Sequence, residues 1–300
     1  MGIVSGHLQM TPELRAKIDA LPVKPQEITH VLYHDQCFDG FGARFAAETA
    51  LGDQAKYIPV SYGQAPPELP PDAKVAIVDF SYPREQLLEL NEKVAGLVVL
   101  DHHEKAREAL EGLPFGAFDM KRAGAGLSWA YFHPETEEPD LLKYVEDRDL
   151  WTWKMPESHE VSAAIGSYPM EFETWKNFDL DQLRSEGQAI ERYKRQLVEA
   201  TADRFFWGEV DGHRVPMVQS DANLRSEVGN ELMERFPDAP FAAVYYVKNG
   251  KKEWSLRSRE GGFDVNQVAK KFGGGGHKAA AGLRDPGPPE PTVLNPPKGE

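Results

Sequence analysis

This chain predicts an α/β protein: a parallel sheet with helices on both faces, joined by a long helix to a smaller α+β C-terminal domain. Three observations carry that expectation. Apolar runs alternate with helix-forming stretches from Ile28 to about Met120, as strand–helix–strand units require. A charged, helix-forming stretch runs from Asp179 to Phe206, with Leu180, Leu183, Ile190, Tyr193, Leu197 and Ala200 roughly along one side. Beyond Trp207 the pattern turns to hairpin signals, Val210-Asp211-Gly212-His213 and Lys248-Asn249-Gly250-Lys251.

The elements follow in order. Residues 1–27 read as peripheral, with Thr11-Pro12 opening a short helix, Thr as N-cap and Pro in the first turn. Val31-Leu32-Tyr33 is the first strand, and Gly40 to Leu51 is a helix closed by Gly52. Val75 to Val78 and Gly96 to Leu100 are strands, separated by a helix from Pro83 to Val94. Glu104 to Leu110, Ala123 to Tyr131 and Leu141 to Leu150 read as further helices. In the C-terminal part, Ala222 to Phe236 and Val265 to Phe272 are helices. Phe241 to Val247, Lys252 to Arg257 and Ala279 to Leu283 are strands. Asp285 to Glu300 is rich in proline and reads as a disordered tail. No internal repeat is visible.

Composition narrows the class. Three hundred residues suit two domains of ordinary size. Hydrophobic residues at 41% and charged residues at 27% are those of a globular protein. No apolar run approaches the ~20 residues needed to span a bilayer, and Met1 to Met10 has neither the basic nor the apolar region of a signal peptide. Cys37 is the single cysteine, which excludes an internal disulfide and fits a reducing cytoplasm. The net charge is −14, whereas a long nucleic acid normally meets a basic face. Either the charge only maintains solubility, or the substrate is short and metal ions with a few Arg and Lys residues bind its phosphates.

The chemistry sits where strands end. Tyr33 leads into His34-Asp35, Val78 into Asp79, and Leu100 into Asp101-His102-His103. Open parallel sheets bind ligands at these C-terminal tips, and carboxylate plus imidazole donors suit Mn, Fe, Zn or Mg. Asp79 stands alone after its strand, as a carboxylate bridging two ions or as a cap for the helix that follows. Asp147 and Asp149 flank Arg148 on a helix. Residues two apart point to different faces, and Asp147 is the favoured ligand. Gly273 to Gly276 precede His277-Lys278, a run whose backbone amides could approach an anion closely. Arg257, on a strand, has the fork of a bidentate phosphate clamp. Tyr62, Trp151, Tyr168 and Trp254 are candidates for stacking on a base.

Taken in order, these motifs resemble the DHH phosphoesterases over roughly His30 to Leu283. That family includes RecJ-type exonucleases, nano-RNases, hydrolases of cyclic-dinucleotide products and, more distantly, manganese pyrophosphatases and exopolyphosphatases. The matching runs are Cys37-Phe38-Asp39-Gly40, Asp79, Asp101-His102-His103, Asp147-Arg148-Asp149 and the glycine-rich Gly273 to Gly282. The resemblance implies a metal-dependent hydrolase with two divalent ions, Mn²⁺ before Mg²⁺. Asp79 bridges them, and Asp39, His102 and Asp147 complete one site. His103 faces the substrate phosphate, and Asp101 orients an imidazole. Gly274, Gly275, Gly276, His277 and Lys278, with Arg257, belong to the substrate-binding side of the associated domain.

The first motif departs from the family's Asp-x-Asp-Gly, because Cys37 stands where the other ion's carboxylate is expected. Cys37 ligates as a thiolate, or His34 or Asp35 takes that place, or that site is incomplete. Cys37 as a small buried hydrophobe is a further reading. The expected domains are a catalytic domain over 1–178, a connector helix over 179–206, a DHH-associated domain over 207–284 that grips the substrate, and a tail over 285–300. The expected activity is hydrolysis of phosphodiester bonds in short oligonucleotides or nucleotide phosphate esters, in the cytoplasm. The alternatives are an exopolyphosphatase or pyrophosphatase-like hydrolase and a non-catalytic nucleotide-binding module. A short nucleic acid or nucleotide is the expected partner, a membrane is not, and a homodimer stays open.

Overall fold

Alternate residues of the first sheet face opposite cores. Val31, Tyr33, Ala76, Val78, Val98 and Leu100 join one; Leu32, Val75, Ile77, Leu97 and Val99 join the other. This is the period of a strand, and burial on both sides is the mark of a helix-covered parallel sheet. The computed structural model describes residues 10–248 and 250–284, which form two compact units divided between Glu191 and Arg192.

The first unit runs α1 (Pro12–Asp19), β1 (His30–His34), α2 (Phe38–Leu51), β2 (Lys56–Val60), β3 (Lys74–Val78), α3 (Arg84–Lys93) and β4 (Gly96–Asp101). It continues with α4 (Glu104–Leu110), β5 (Gly116–Phe118), α5 (Gly124–Phe132), α6 (Asp140–Asp149), α7 (Ser158–Ser167) and α8 (Phe172–Lys176). The strand order is β2-β1-β3-β4-β5, with every neighbour parallel. In this order the chain direction across the sheet reverses between β1 and β3, the switch point where such sheets bind ligands. Residues of α1, α2, α5 and α6 fill one core, and those of α3 and α4 the other.

A 23-residue helix, α9 (Leu180–Ala202), contains the division between the units. The second unit follows with β6 (Phe206–Val210), β7 (His213–Gln219), α10 (Arg225–Arg235), β8 (Ala242–Lys248), β9 (Lys251–Arg257), α11 (Val265–Lys271), β10 (Gly275–Gly276) and β11 (Ala280–Arg284). Its sheet order is β10-β11-β9-β8-β7-β6. Only the β7–β8 pair is parallel. The α/β class, with a parallel sheet first and a mixed-sheet domain second, is as the sequence predicts.

Some local expectations need correction. The segment before β1 is not peripheral: Leu14, Ile18, Leu21 and Val23 are buried, and the Tyr131 hydroxyl donates to the Val23 carbonyl at 2.6 Å. Thr11 does cap α1, accepting from the Leu14 amide at 3.2 Å. Strands β2 and β5 are additions to the expected set, because they are edge strands of five and three residues without a long apolar run. The tail over 285–300 lies outside the described residues, as does the start of the chain. No helix among the described residues is long and apolar enough to cross a membrane.

One buried ion cluster ties the start of α5 to α6. Arg122, 4% exposed, donates Nε to Glu146 at 2.8 Å and Nη2 to Glu138 at 2.6 Å. Glu146 also accepts the Ala123 amide at 2.8 Å. Removing one partner of a buried pair strands the other charge, which costs about 3–5 kcal/mol. Arg122→Ala should therefore lower stability to urea by about that amount. Arg122→Lys should recover only part of it, because a single ammonium cannot reproduce the fork. A loss of less than about 1 kcal/mol, the scale of a surface pair, would mean that the cluster is dispensable.

Candidate metal centre

The C-terminal ends of β1, β3 and β4 lie side by side, and each delivers a ligand-type side chain. His34 ends β1, Asp79 follows β3, and His102 and His103 follow Asp101 at the end of β4. Asp39 enters from the first turn of α2. Two close approaches make this convergence feasible. A Cβ on Gly40 would fall 2.2 Å from the His34 carbonyl oxygen, and one on Gly124 would fall 2.4 Å from the Asp79 Cβ. Glycine lets α2 and α5 start directly against the strand ends.

The distances centre on His102. Its Nε2 lies 3.4 Å from Asp39, 3.2 Å from Asp79 and 3.5 Å from Asp149. His34 Nδ1 lies 3.3 Å from the other Asp79 oxygen. Three groups place their ligand atoms within 4.8 Å of one another: His34, Cys37 and Asp79; Asp79, His102 and His103; Asp39, His102 and Asp149. Asp79 and His102 each belong to two of them. Asp101 stands behind. Its Oδ1 accepts from the amides of His102 and His103 and from His103 Nδ1 at 2.8 Å, so it fixes the ring of His103.

The electrostatics call for a cation. Asp39 and Asp79 are fully buried, and buried carboxylates a few ångströms apart repel. Burial and the neighbouring Asp79 push the Asp39 pKa well up. For Asp79 burial acts in the same direction, but the imidazoles of His102 and His34 outweigh it and hold the carboxyl below the ordinary range. Burial works against a charged His102, yet Asp79 and Asp149 raise its pKa well above the ordinary value. Cys37 is pushed up by burial and by Asp79. Both Asp79 oxygens are buried and accept no hydrogen bond of standard geometry. Asp39 is partly satisfied by the start of α5, accepting from Gly124 N at 2.6 Å and Ala125 N at 2.8 Å. Oxygen, imidazole and sulfur donors packed this closely fit one or two divalent ions.

Asp147, the carboxylate favoured from the sequence, lies outside the three groups. Its carboxylate accepts from the Thr152 hydroxyl, from Lys154 N at 2.8 Å, from Met155 N at 3.0 Å and from Ser158 Oγ at 2.5 Å. Those bonds overcome its burial and lower its pKa. Asp149, two residues on, faces His102 instead. The two carboxylates do part ways, as their spacing requires, but the choice between them depends on partners up to eleven residues downstream. Strain collects here as well. Of the non-glycine residues with positive φ among those described, Gln36, Asp79, Trp151, Trp153 and Glu157 lie in or beside the cluster segments, and Asp211 is remote in sequence.

The other expected site residues lie in the second unit. Arg257 donates to Ser226 Oγ at 2.7 Å and to Ser255 Oγ and the Leu256 carbonyl at 3.0 Å. Burial and the neighbouring Arg225 bring its pKa down to about 10. The glycine run is less open than the sequence suggests. Gly274 N donates to the Ala269 carbonyl at 2.8 Å and His277 N to the Ala280 carbonyl at 2.7 Å. Gly275 and Gly276 pair with Gly282 and Ala281 of β11. Two of the expected cradle amides are thus already engaged. Lys278 accepts the Val265 amide on its carbonyl and begins the turn into β11.

Comparison with known proteins agrees with this architecture. Residues 220–290 match the DHHA1 domain. The chain is 28% identical over 283 residues to the uncharacterized protein R106 of Acanthamoeba polyphaga mimivirus, covering 86% of this chain and 67% of that one. It is 25% identical over 292 residues to the oligoribonuclease NrnB of Bacillus subtilis, covering 84% and 71%. The crystal structure of RecJ from Thermus thermophilus in complex with Mn²⁺ superposes with a TM-score of 0.53 at 16% identity, over 93% of this chain and 53% of that one.

Asp147 and Asp149 should separate cleanly in experiment. Asp149→Asn should weaken Mn²⁺ binding in a calorimetric titration and leave thermal stability within about 0.5 kcal/mol, as a surface change does. Asp147→Ala should cost about 1–3 kcal/mol of stability by leaving several donors unpaired. The opposite pairing of effects would restore Asp147 as the ligand.

Proposed function

We propose that the chain is a metal-dependent phosphoesterase of the DHH family, cutting phosphodiester bonds of short oligonucleotides or nucleotide phosphate esters, a reading supported by its DHHA1 match and its likeness to an oligoribonuclease. The observation that carries this reading is the convergence of Asp39, Asp79 and Asp149 on the single imidazole of His102. Two divalent ions, Mn²⁺ first, supply charge neutralisation and an activated water when bound. Asp39, Asp79, His102 and Asp149 would hold one, and Asp79 with His34 and Cys37 the other. This assigns the family's fourth-motif role to Asp149 and fills the first motif's missing carboxylate with His34 and Cys37.

The protein's own groups then act on the phosphate. Asp101 accepts the Nδ1 proton of His103, which leaves Nε2 as the atom for a phosphate oxygen. Burial disfavours a charged His103, and Asp101 more than offsets this, so its pKa is raised. A charged imidazole makes the stronger hydrogen bond to phosphate. Water attacks phosphorus and gives up a proton, the ester P–O bond breaks, and the departing oxygen takes up one proton, so that the elements of water are added across the ester. In the second unit, Arg257 has no carboxylate in ion-pair range among the described residues and is balanced by neutral oxygens. A guanidinium so placed suits a substrate phosphate.

The test is a panel of di- to decanucleotides, polyphosphate and a chromogenic diester, each with Mn²⁺, Mg²⁺ and EDTA. Turnover should be fastest on short oligonucleotides with Mn²⁺ and vanish with EDTA. Preference for polyphosphate would make the chain an exopolyphosphatase-like hydrolase. Metal and nucleotide binding without turnover on any substrate would make it a binding module. Asp79→Ala should lose both ions and nearly all activity. Cys37→Asp should reach half-maximal rate at lower Mn²⁺, since a carboxylate ligates without the cost of deprotonating a buried thiol. An unchanged Mn²⁺ titration would place Cys37 outside the coordination sphere.

A further inference from the structure

The loop after α6 holds an aromatic stack that the metal chemistry does not use. Trp151 and Trp153 lie with ring centroids 4.9 Å apart, edge to face. Trp153 stacks on His159 at 3.8 Å with 12° between planes. Trp151 is 38% exposed. Both tryptophans carry positive φ, +56° and +52°, a conformation that large side chains adopt only when their surroundings impose it. The Asp147 carboxylate imposes it, gathering the amides of Lys154 and Met155 and the hydroxyls of Thr152 and Ser158. Backbone bonds from Trp151 N to the Arg148 carbonyl and from Thr152 N to the Asp147 carbonyl close the turn. Trp153 Nε1 is buried without an acceptor.

Position gives the stack its meaning. Trp151 is two residues from Asp149, so its backbone lies within about 7 Å of that residue's. Asp149 reaches His102 at 3.5 Å. An exposed ring is therefore carried, on strained backbone, close in the chain to the carboxylate that reaches His102. Of the other aromatic candidates, Tyr62 is 42% exposed but its ring is engaged edge-on by His34 at 5.2 Å and tilted on Phe80 at 4.6 Å, and the remaining two are excluded by placement. Trp254 is 3% exposed, and Tyr168 packs on Phe178 and donates to Glu186.

We infer that Trp151, backed by Trp153, is the stacking platform for a nucleobase next to the phosphate being cut. This rests on the phosphoesterase reading of the same site and narrows its substrate to a base-bearing ester. Polyphosphate has no ring to stack, whereas every base has a π-face.

The test compares two substrates and two ligands in the full chain with Mn²⁺. The substrates are a diadenylate and the same dinucleotide with one base removed. Trp151→Ala and Trp151→Gly should raise KM for the diadenylate by about 10- to 100-fold. Trp151→Phe should stay within about 3-fold of the parent, since it keeps a ring. KM for the abasic substrate and Mn²⁺ stoichiometry should not change. Glycine relieves the backbone strain and alanine does not, so equal effects of the two assign the loss to the ring. Adenosine monophosphate should also bind the parent more tightly than ribose 5-phosphate in calorimetry, and this difference should disappear in Trp151→Ala. Equal losses on both substrates, or equal binding of both ligands, would overturn the platform. If the parent cuts neither substrate, the phosphoesterase reading fails, and the two-ligand comparison still decides the platform alone.

Discussion

Three carboxylates crowd one buried imidazole, and much of the first unit is arranged to keep them there. Asp39, Asp79 and Asp149 all approach His102 within 3.5 Å. Left alone, such a group relieves its repulsion by protonation or by rearrangement. The opposed shifts of Asp39 and Asp79 are the first response. The fold blocks the second. Asp39 is held by two amides at the start of α5, where the helix dipole also favours negative charge. Asp79 is held left-handed at φ +52°, its amide tied to the Leu100 carbonyl at 2.9 Å.

The end of α6 shows how one short segment serves several tasks. Glu146 turns inward to Arg122 and the Ala123 amide, and so places the α5 start that grips Asp39. Asp147 organises the following loop through four donors. Asp149 meets His102. Successive helix positions point about 100° apart, so acidic side chains three residues apart or less can reach an ion pair, a loop and a metal centre. Loosening any of these would be felt at the others, because they share a rigid backbone.

The second unit handles charge differently. Arg257 is surrounded by neutral oxygens from Ser226, Ser255 and the Leu256 backbone, where the first unit concentrates carboxylates. Among the described residues, Arg257 has neutral oxygens as its hydrogen-bond partners, whereas the carboxylates of the first unit crowd around imidazoles.

The sequence by itself determined the class of fold and pointed to most of the side chains that converge at the strand tips. Strands buried on both faces must be apolar throughout, so Val75–Val78 and Gly96–Leu100 were legible, and ligands at their tips followed from parallel-sheet geometry. His34, Asp39, Asp79, His102 and His103 could be named because each is adjacent in sequence to such a strand or to the helix that follows it. Edge strands β2 and β5 were not legible, since short strands at a sheet edge carry weak patterns. Asp149 was not either. Nothing local distinguishes it from Asp147, and the decision lies with Thr152 and Ser158, whose hydroxyls claim Asp147 only once the loop has folded back. The glycine run likewise looked open until β11 was seen to pair with it. Covalent neighbours and periodicity set which residues can reach a strand tip; competition among hydrogen-bond partners, which only tertiary structure brings together, decides which carboxylate is left to face His102.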